Sequence, residues 1–169
     1  MNSLEKNTLL PGKILVATKP TLISTLLGSC VAVCLWDKRL RIGGMNHYLL
    51  PGTEHGDVGD SNRGVSSIRM LLDEFISLQS YPVDLEAKIF GGCNSLYRNN
   101  DRYKIGERNI AIAFDMMKGV GIPVIAHHTG GAHGRKIVFN TSNGKVRMRL
   151  LPQPATEVNE KNYQGLNYR

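Results

Sequence analysis

No stretch of this sequence approaches the roughly 20 consecutive apolar residues needed to span a bilayer. The N-terminus, Met1-Asn2-Ser3-Leu4-Glu5-Lys6-Asn7, also lacks the basic segment and apolar stretch of a signal peptide. Together these absences predict a cytoplasmic protein with no membrane insertion. Cysteine is scarce, at three residues. An odd, small number makes a poor disulfide framework and fits a reducing compartment. None of the three belongs to a Cys-x-x-Cys pair, which argues against a structural zinc knuckle. Zinc-finger and RNP-type aromatic signatures are missing, so nothing beyond net charge speaks for nucleic acid. Internal repeats and linkers are missing too, and the chain reads as one domain over residues 1–151. Residues 152–169, polar and with two prolines, read as a mobile tail.

What is present fits a globular core. The chain has 169 residues, of which 41% are hydrophobic and 21% charged. The net charge of +7 raises the question of an acidic partner. Its densest groups are Lys38-Arg39-Leu40-Arg41 and Lys145-Val146-Arg147-Met148-Arg149. Alternate residues of the second are basic, as on the solvent face of a strand. A solvated face is the commoner explanation of such scattered charge, and an acidic-partner surface is the alternative.

Strands are predicted over 13–19, 21–27, 30–36 and 42–50, the last two forming a hairpin about Asp37-Lys38-Arg39-Leu40. Val65, Ile68, Leu71, Leu72, Phe75 and Ile76 recur at helical spacing, predicting a helix over 63–79 capped by Ser61 or Asn62. A short strand follows at 85–90, broken by Gly91-Gly92, and 93–106 is polar and irregular. Ile110, Phe114 and Met117 mark a second helix over 106–118, with Gly119 and Gly121 as stop signals. A buried strand at 122–126 comes next. The final pair, 136–141 and 145–151, flanks Asn143-Gly144, a strong hairpin signal. Two helices and about eight strands give an α+β fold. The arrangement expected is a layered α/β/β sandwich, with mixed sheets and the two main helices over one of them.

Cys30 and His47 are the residues with chemical promise. Cys30 ends the turn Leu27-Gly28-Ser29-Cys30 and opens an apolar run. Gly28 allows backbone conformations that expose amide N–H groups, which suit an oxyanion. His47 precedes Tyr48-Leu49-Leu50 on the partner strand, so imidazole and thiol can project at one end of a sheet. Such a pair can work as nucleophile and base in acyl transfer. Thr25 and Ser24 are the nearest hydroxyls able to orient the imidazole. A buried structural thiol remains the alternative for Cys30, and fits Cys34 well. His127-His128 with His133, joined by Cys93 or Asp57, matches no strong zinc pattern, and no metal is expected. Gly91-Gly92-Cys93 lacks the GxxxxGK[ST] pattern of a phosphate cradle.

The run Thr25-Leu26-Leu27-Gly28-Ser29-Cys30-Val31-Ala32-Val33-Cys34-Leu35, followed by Gly43-Gly44-Met45-Asn46-His47, resembles the chemoreceptor glutamine deamidase family CheD. Leu85-Glu86-Ala87-Lys88-Ile89-Phe90-Gly91-Gly92, Ile105-Gly106-Glu107-Arg108-Asn109 and Thr129-Gly130-Gly131 with Arg135 are similar to later segments of that family, in order. The resemblance implies hydrolysis of glutamine side-chain amides in methyl-accepting chemotaxis receptors, with release of ammonia and no cofactor. It implies regulation by the phosphatase CheC in some members. Carried over, Cys30 is the nucleophile, His47 the base and Thr25 the orienting group, with Gly28 and Ser29 at the oxyanion turn. Some members place one more residue between the threonine and the cysteine, which keeps Ser24 open. The family commonly has Asp before its Thr-Gly-Gly loop, where this chain has His128. A non-catalytic adaptor that binds receptor or CheC is the competing reading.

Overall fold

The computed structural model describes residues 3–52, 59–94 and 104–152. Nine strands and two main helices follow in the order β1 (Glu5–Thr8), β2 (Ile14–Ala17), β3 (Thr21–Leu27), β4 (Val31–Asp37), β5 (Ile42–Asn46), α1 (Gly64–Ser77), β6 (Leu85–Gly91), α2 (Ile105–Val120), β7 (Val124–Thr129), β8 (Arg135–Asn140) and β9 (Val146–Leu150). The five-stranded sheet has the order β2-β5-β4-β6-β7, and the four-stranded sheet β1-β3-β8-β9. Each holds one parallel pair, β6 with β7 and β1 with β3, among antiparallel neighbours. Both sheets are therefore mixed, as expected.

Alternation along the strands builds the layers. In β4, Val31, Val33 and Leu35 face Ile68, Leu71 and Phe75 of α1 and Ala113 and Met117 of α2. Ala32 and Cys34 face the other way, into a second core with Ile23 and Leu27 of β3 and Ile137 and Phe139 of β8. β4 is buried on both faces, which is why it reads as a continuous apolar run rather than an alternating one. The result is helices, large sheet and small sheet in three layers, the α/β/β sandwich that the pattern implied.

Several elements depart from expectation. β1 was not legible, because Glu-Lys-Asn-Thr is polar and exposed throughout and carries no alternation. The first helix begins at Gly64, and neither Ser61 nor Asn62 caps it. Ser61 donates its hydroxyl to Gly12 O at 2.5 Å, and Asn62 bonds Asp60. Gly119 does not stop α2, which runs on to Val120 and ends at Gly121 in a left-handed conformation, φ +74°. The strand predicted over 122–126 lies over Val124–Thr129 and is mostly exposed. It is an edge strand, paired on one side only with β6, so apolar content misled about its burial. The Asn143-Gly144 hairpin forms, with Gly144 N–H donating to Asn140 O at 2.9 Å. Residues 95–103 and most of the predicted tail, 153–169, lie outside the described residues.

Candidate active site

Cys30 stands where the chain crosses between sheets. β3 ends at Leu27 in the small sheet, and β4 begins at Val31 in the large one. The carbonyls of the connecting turn are all held from outside. Cys93 N–H donates to Gly28 O at 2.9 Å, Asn109 Nδ2 to Ser29 O at 3.0 Å, and Gly92 N–H to Cys30 O at 2.8 Å. Gly28 and Ser29 are exposed and Cys30 is half-buried, so the turn is fixed and yet reachable.

The glycine that this turn needs is not Gly28. Gly28 is outside the positive-φ region, and a Cβ there would meet nothing within 4 Å. Gly91, at the end of β6, has φ +111°, and a Cβ there would lie 2.1 Å from Cys30 O. The close approach of two backbones thus makes Gly91 the obligatory glycine.

His47 follows β5 in unbroken register. Cys34 pairs with Met45, and Val31 pairs with Tyr48 in an isolated bridge through two hydrogen bonds of 3.1 and 3.0 Å. This register sets His47 opposite Ala32 and diagonal to Cys30 on the face toward the small sheet. Diagonal neighbours of this kind lie within side-chain reach. Asn46 interrupts the ladder by accepting from Val33 N–H through its Oδ1 at 2.8 Å. The His47 backbone turns instead to the segment before β2, bonding Lys13 O and Gly12 N–H.

Thr25 reaches His47 from the opposite sheet. Its Oγ1 lies 2.8 Å from His47 Nδ1 and 2.7 Å from Leu9 O. The hydroxyl has one proton, and a carbonyl can only accept, so that proton goes to Leu9 O. Nδ1 must then carry the proton on the ring and donate to Thr25. Nε2 is left with its lone pair, buried and without a hydrogen-bond partner among the described residues. Burial pushes the His47 pKa down to about 4, so the ring is neutral near pH 7. Burial also raises the Cys30 thiol above its ordinary value. The backbone N–H of Cys30 acts against that rise, and Cys93 adds to it. Both shifts favour the uncharged forms, a thiol at Cys30 and an imidazole at His47. Ser24, the alternative hydroxyl, projects to the outer face, 3.4 Å from Thr8 Oγ1. Strand alternation therefore turns Thr25, and not Ser24, toward His47.

Asn109 was not singled out by the sequence reasoning. It is fully buried on the first turns of α2. Its Nδ2 donates to Ser29 O and to Leu49 O, both at 3.0 Å, and its backbone carbonyl accepts from Tyr48 Oη at 2.5 Å. One side chain thereby ties the turn before Cys30 to the segment after His47, where the strand predicted to run to residue 50 has already ended at Asn46. The available signal was an amide at a position whose neighbours Ala113 and Met117 fall on the apolar face of the same helix.

Among the described residues the other histidines do not converge. His127 packs edge-on against Phe114 at 5.3 Å. His133 Nδ1 lies 3.1 Å from Leu151 O. His128 Nδ1 accepts from Arg135 Nη1 at 2.7 Å, because a guanidinium can only donate. Arg135 also bonds the carbonyls of His128, Gly130 and His133 and fixes the glycine loop. His128 thus offers Arg135 both a ring nitrogen and its backbone carbonyl as acceptors. Among the described residues no group of three or more His, Cys, Asp or Glu is arranged to hold a metal ion. Asp57 lies outside them. No helix among them is long and apolar enough to cross a membrane.

Residues 49–150 match the family model described as CheD chemotactic sensory transduction. That stretch begins just after His47, so it does not include Thr25, Cys30 or His47. Longer matches come from individual relatives. The chain is 39% identical over 151 residues to a probable chemoreceptor glutamine deamidase CheD of Agrobacterium fabrum, covering 88% of this chain and 82% of that one. It is 40% identical over 143 residues to the protein of that name in Trichlorobacter lovleyi, covering 85% and 89%. It is 39% identical over 157 residues to the one in Rhodospirillum rubrum, covering 92% and 88%. With the family model matched over more than half of its length and such relatives over most of it, the chain belongs to the CheD family.

Proposed function

We propose that the protein is a glutamine deamidase of chemoreceptors, working through Cys30, His47 and Thr25. The observation that carries this reading is the Thr25–His47 hydrogen bond, which puts the ring proton on Nδ1 and leaves a buried, unpartnered Nε2 on the face shared with Cys30. The names of the relatives supply the substrate class, a receptor glutamine.

The residues support the following sequence. The Cys30 sulfur attacks the side-chain amide carbon while its proton passes to His47 Nε2. The carbonyl oxygen becomes an oxyanion held by backbone N–H groups at the Gly28-Ser29-Cys30 turn. His47 returns the proton to the amide nitrogen, the C–N bond breaks, and ammonia leaves a thioester. His47 then takes a proton from water, the hydroxide adds to the thioester, and the sulfur departs with that proton returned from His47, leaving glutamate and the Cys30 thiol. Thr25 accepts from Nδ1–H throughout, which holds the tautomer and stabilises the transient imidazolium.

Incubating the protein with a chemoreceptor cytoplasmic fragment and measuring both ammonia and the intact fragment mass tests the proposal. Conversion of specific glutamines to glutamates, lost in Cys30→Ala, is the expected result. A fragment of unchanged mass that nonetheless binds the protein would establish the adaptor reading instead.

A further inference from the structure

The outer face of the small sheet carries positive charge that no ion pair among the described residues balances. Cross-strand register lines up its rows. Leu26 pairs with Lys136, which pairs with Arg149; Ser24 pairs with Val138, which pairs with Arg147; Lys6 pairs with Leu22. Lys145 precedes β9 and is exposed. β3, β8 and β9 contain no carboxylate, and Glu5 on the edge strand is the one acid in the sheet. The ion pairs Lys38–Glu86, Arg39–Asp84 and Arg63–Asp60 all lie elsewhere. Lys136 and Arg149 stand directly opposite each other, an arrangement that costs stability.

This face also holds an apolar recess of about 320 Å³. Leu4, Leu22 and Val138 line it, together with Asn143, Lys145 and Arg147. At the other end of the face Leu26 is 58% exposed, two residues before the exposed Gly28-Ser29 turn that leads into Cys30. The basic face therefore runs up to the rim of the candidate active site.

We propose that this face is an exosite for the protein substrate, docking an acidic segment whose carboxylates meet Lys136, Lys145, Arg147 and Arg149 while an apolar side chain fills the recess. The proposal rests on the deamidase reading for the identity of the substrate. Two features favour an acidic protein segment as occupant. The charge is continuous with the rim of the candidate site, and the sheet sets basic side chains on three of its strands against a single acid, Glu5. Attraction of this kind raises the association rate and weakens with salt, since the screening length is about 8 Å at physiological ionic strength.

The test uses the full chain with Lys136→Glu, Arg147→Glu and Arg149→Glu together, and a second variant carrying Gln at the same positions. Binding of a receptor cytoplasmic fragment is measured on a Cys30→Ala background, and ammonia release on the Cys30 form, each at low and high salt. The expected result is binding about tenfold weaker at low salt, a gap that narrows at high salt, and a kcat/KM lost through KM with kcat unchanged. The rate of Cys30 alkylation should not change, which reports an intact site. The Gln variant should fall between, and it answers the question if the Glu variant does not fold. Charge-dependent binding without ammonia release keeps the exosite and overturns the deamidase reading. Ammonia release with an unaltered KM in both variants overturns the exosite and keeps the enzyme. Absence of fragment binding by the Cys30→Ala protein at either salt overturns the exosite. So does charge-dependent binding to vesicles of anionic lipid with no change toward the fragment.

Discussion

Cys30 and Cys34 lie on one face of one stretch of chain, four residues apart, and live in opposite environments. Cys34 sits mid-strand, 1% exposed, among Met45, Phe90 and Phe139. Burial alone drives its thiol far up, with Lys88 opposing. Cys30 sits at the mouth of the same layer, half-buried, on a turn whose carbonyls are all anchored. The lesson is positional. The middle of an inter-sheet layer can only bury a thiol, whereas its end can present one to solvent on the same face as a buried imidazole. Thr25 and Cys30 even belong to different sheets, and only the end of the sandwich brings their segments together.

The sharpest way to break this comparison is to remove each thiol. Cys30→Ala should abolish ammonia release, a loss of at least about a thousandfold, with an unchanged melting curve. Cys34→Ala should keep kcat and lose about 1 kcal/mol of stability, read by urea denaturation, through a small cavity. The reverse pattern would end the assignment. Next in size is Thr25→Val. It removes the acceptor for Nδ1–H and should cost about a hundredfold in kcat, while Thr25→Ser keeps most activity. Equal kinetics for both would show that the hydroxyl does not hold the tautomer.

A pH experiment sharpens the electrostatic side. The folded pKa of His47 is depressed to about 4, below its unfolded value near 6.5. The unfolded chain therefore binds more protons in between. The stability linked to neutral His47 is fully present above pH 6.5 and is lost as pH falls toward 4, by up to about 3 kcal/mol. His47→Gln should flatten that part of the urea-denaturation profile, and an unaltered slope would refute it. Iodoacetamide should label Cys30 before Cys34. Because burial raises the Cys30 thiol, its labelling rate should climb steeply as pH passes above 8, the ordinary thiol range. Fast labelling at pH 6 would instead reveal a resting thiolate–imidazolium pair. The smallest effect is expected from Ser24→Ala, whose hydroxyl faces outward, and any loss of kcat there would reopen the choice of orienting residue.

Much of the fold was legible because its signals are local. The apolar run of β4, the helical spacing of α1 and the Asn143-Gly144 turn each reside in a dozen residues or fewer. β1 was missed because its four polar residues gain their place from pairing with β3, not from any pattern of their own. β7 was misjudged as buried because apolar content does not say whether a strand has one neighbour or two. At the site, Cys30 and His47 stood out by residue type and setting. Gly91 and Asn109 did not, since each acts on a backbone far away in sequence: Gly91 on Cys30 O, and Asn109 on Ser29 O across 80 positions.

The sequence by itself determined the strands and helices with strong periodicity, the layered α+β class and a candidate thiol and imidazole. Tertiary structure decided which hydroxyl meets the imidazole, which ring nitrogen is left free, which glycine the turn needs and how charge is segregated onto one face. The physical reason is that alternation fixes the side of a strand on which a residue projects, but not what waits there. Thr25 finds its partners in Leu9 and His47, 16 and 22 residues away, and only packing two sheets face to face puts the three together.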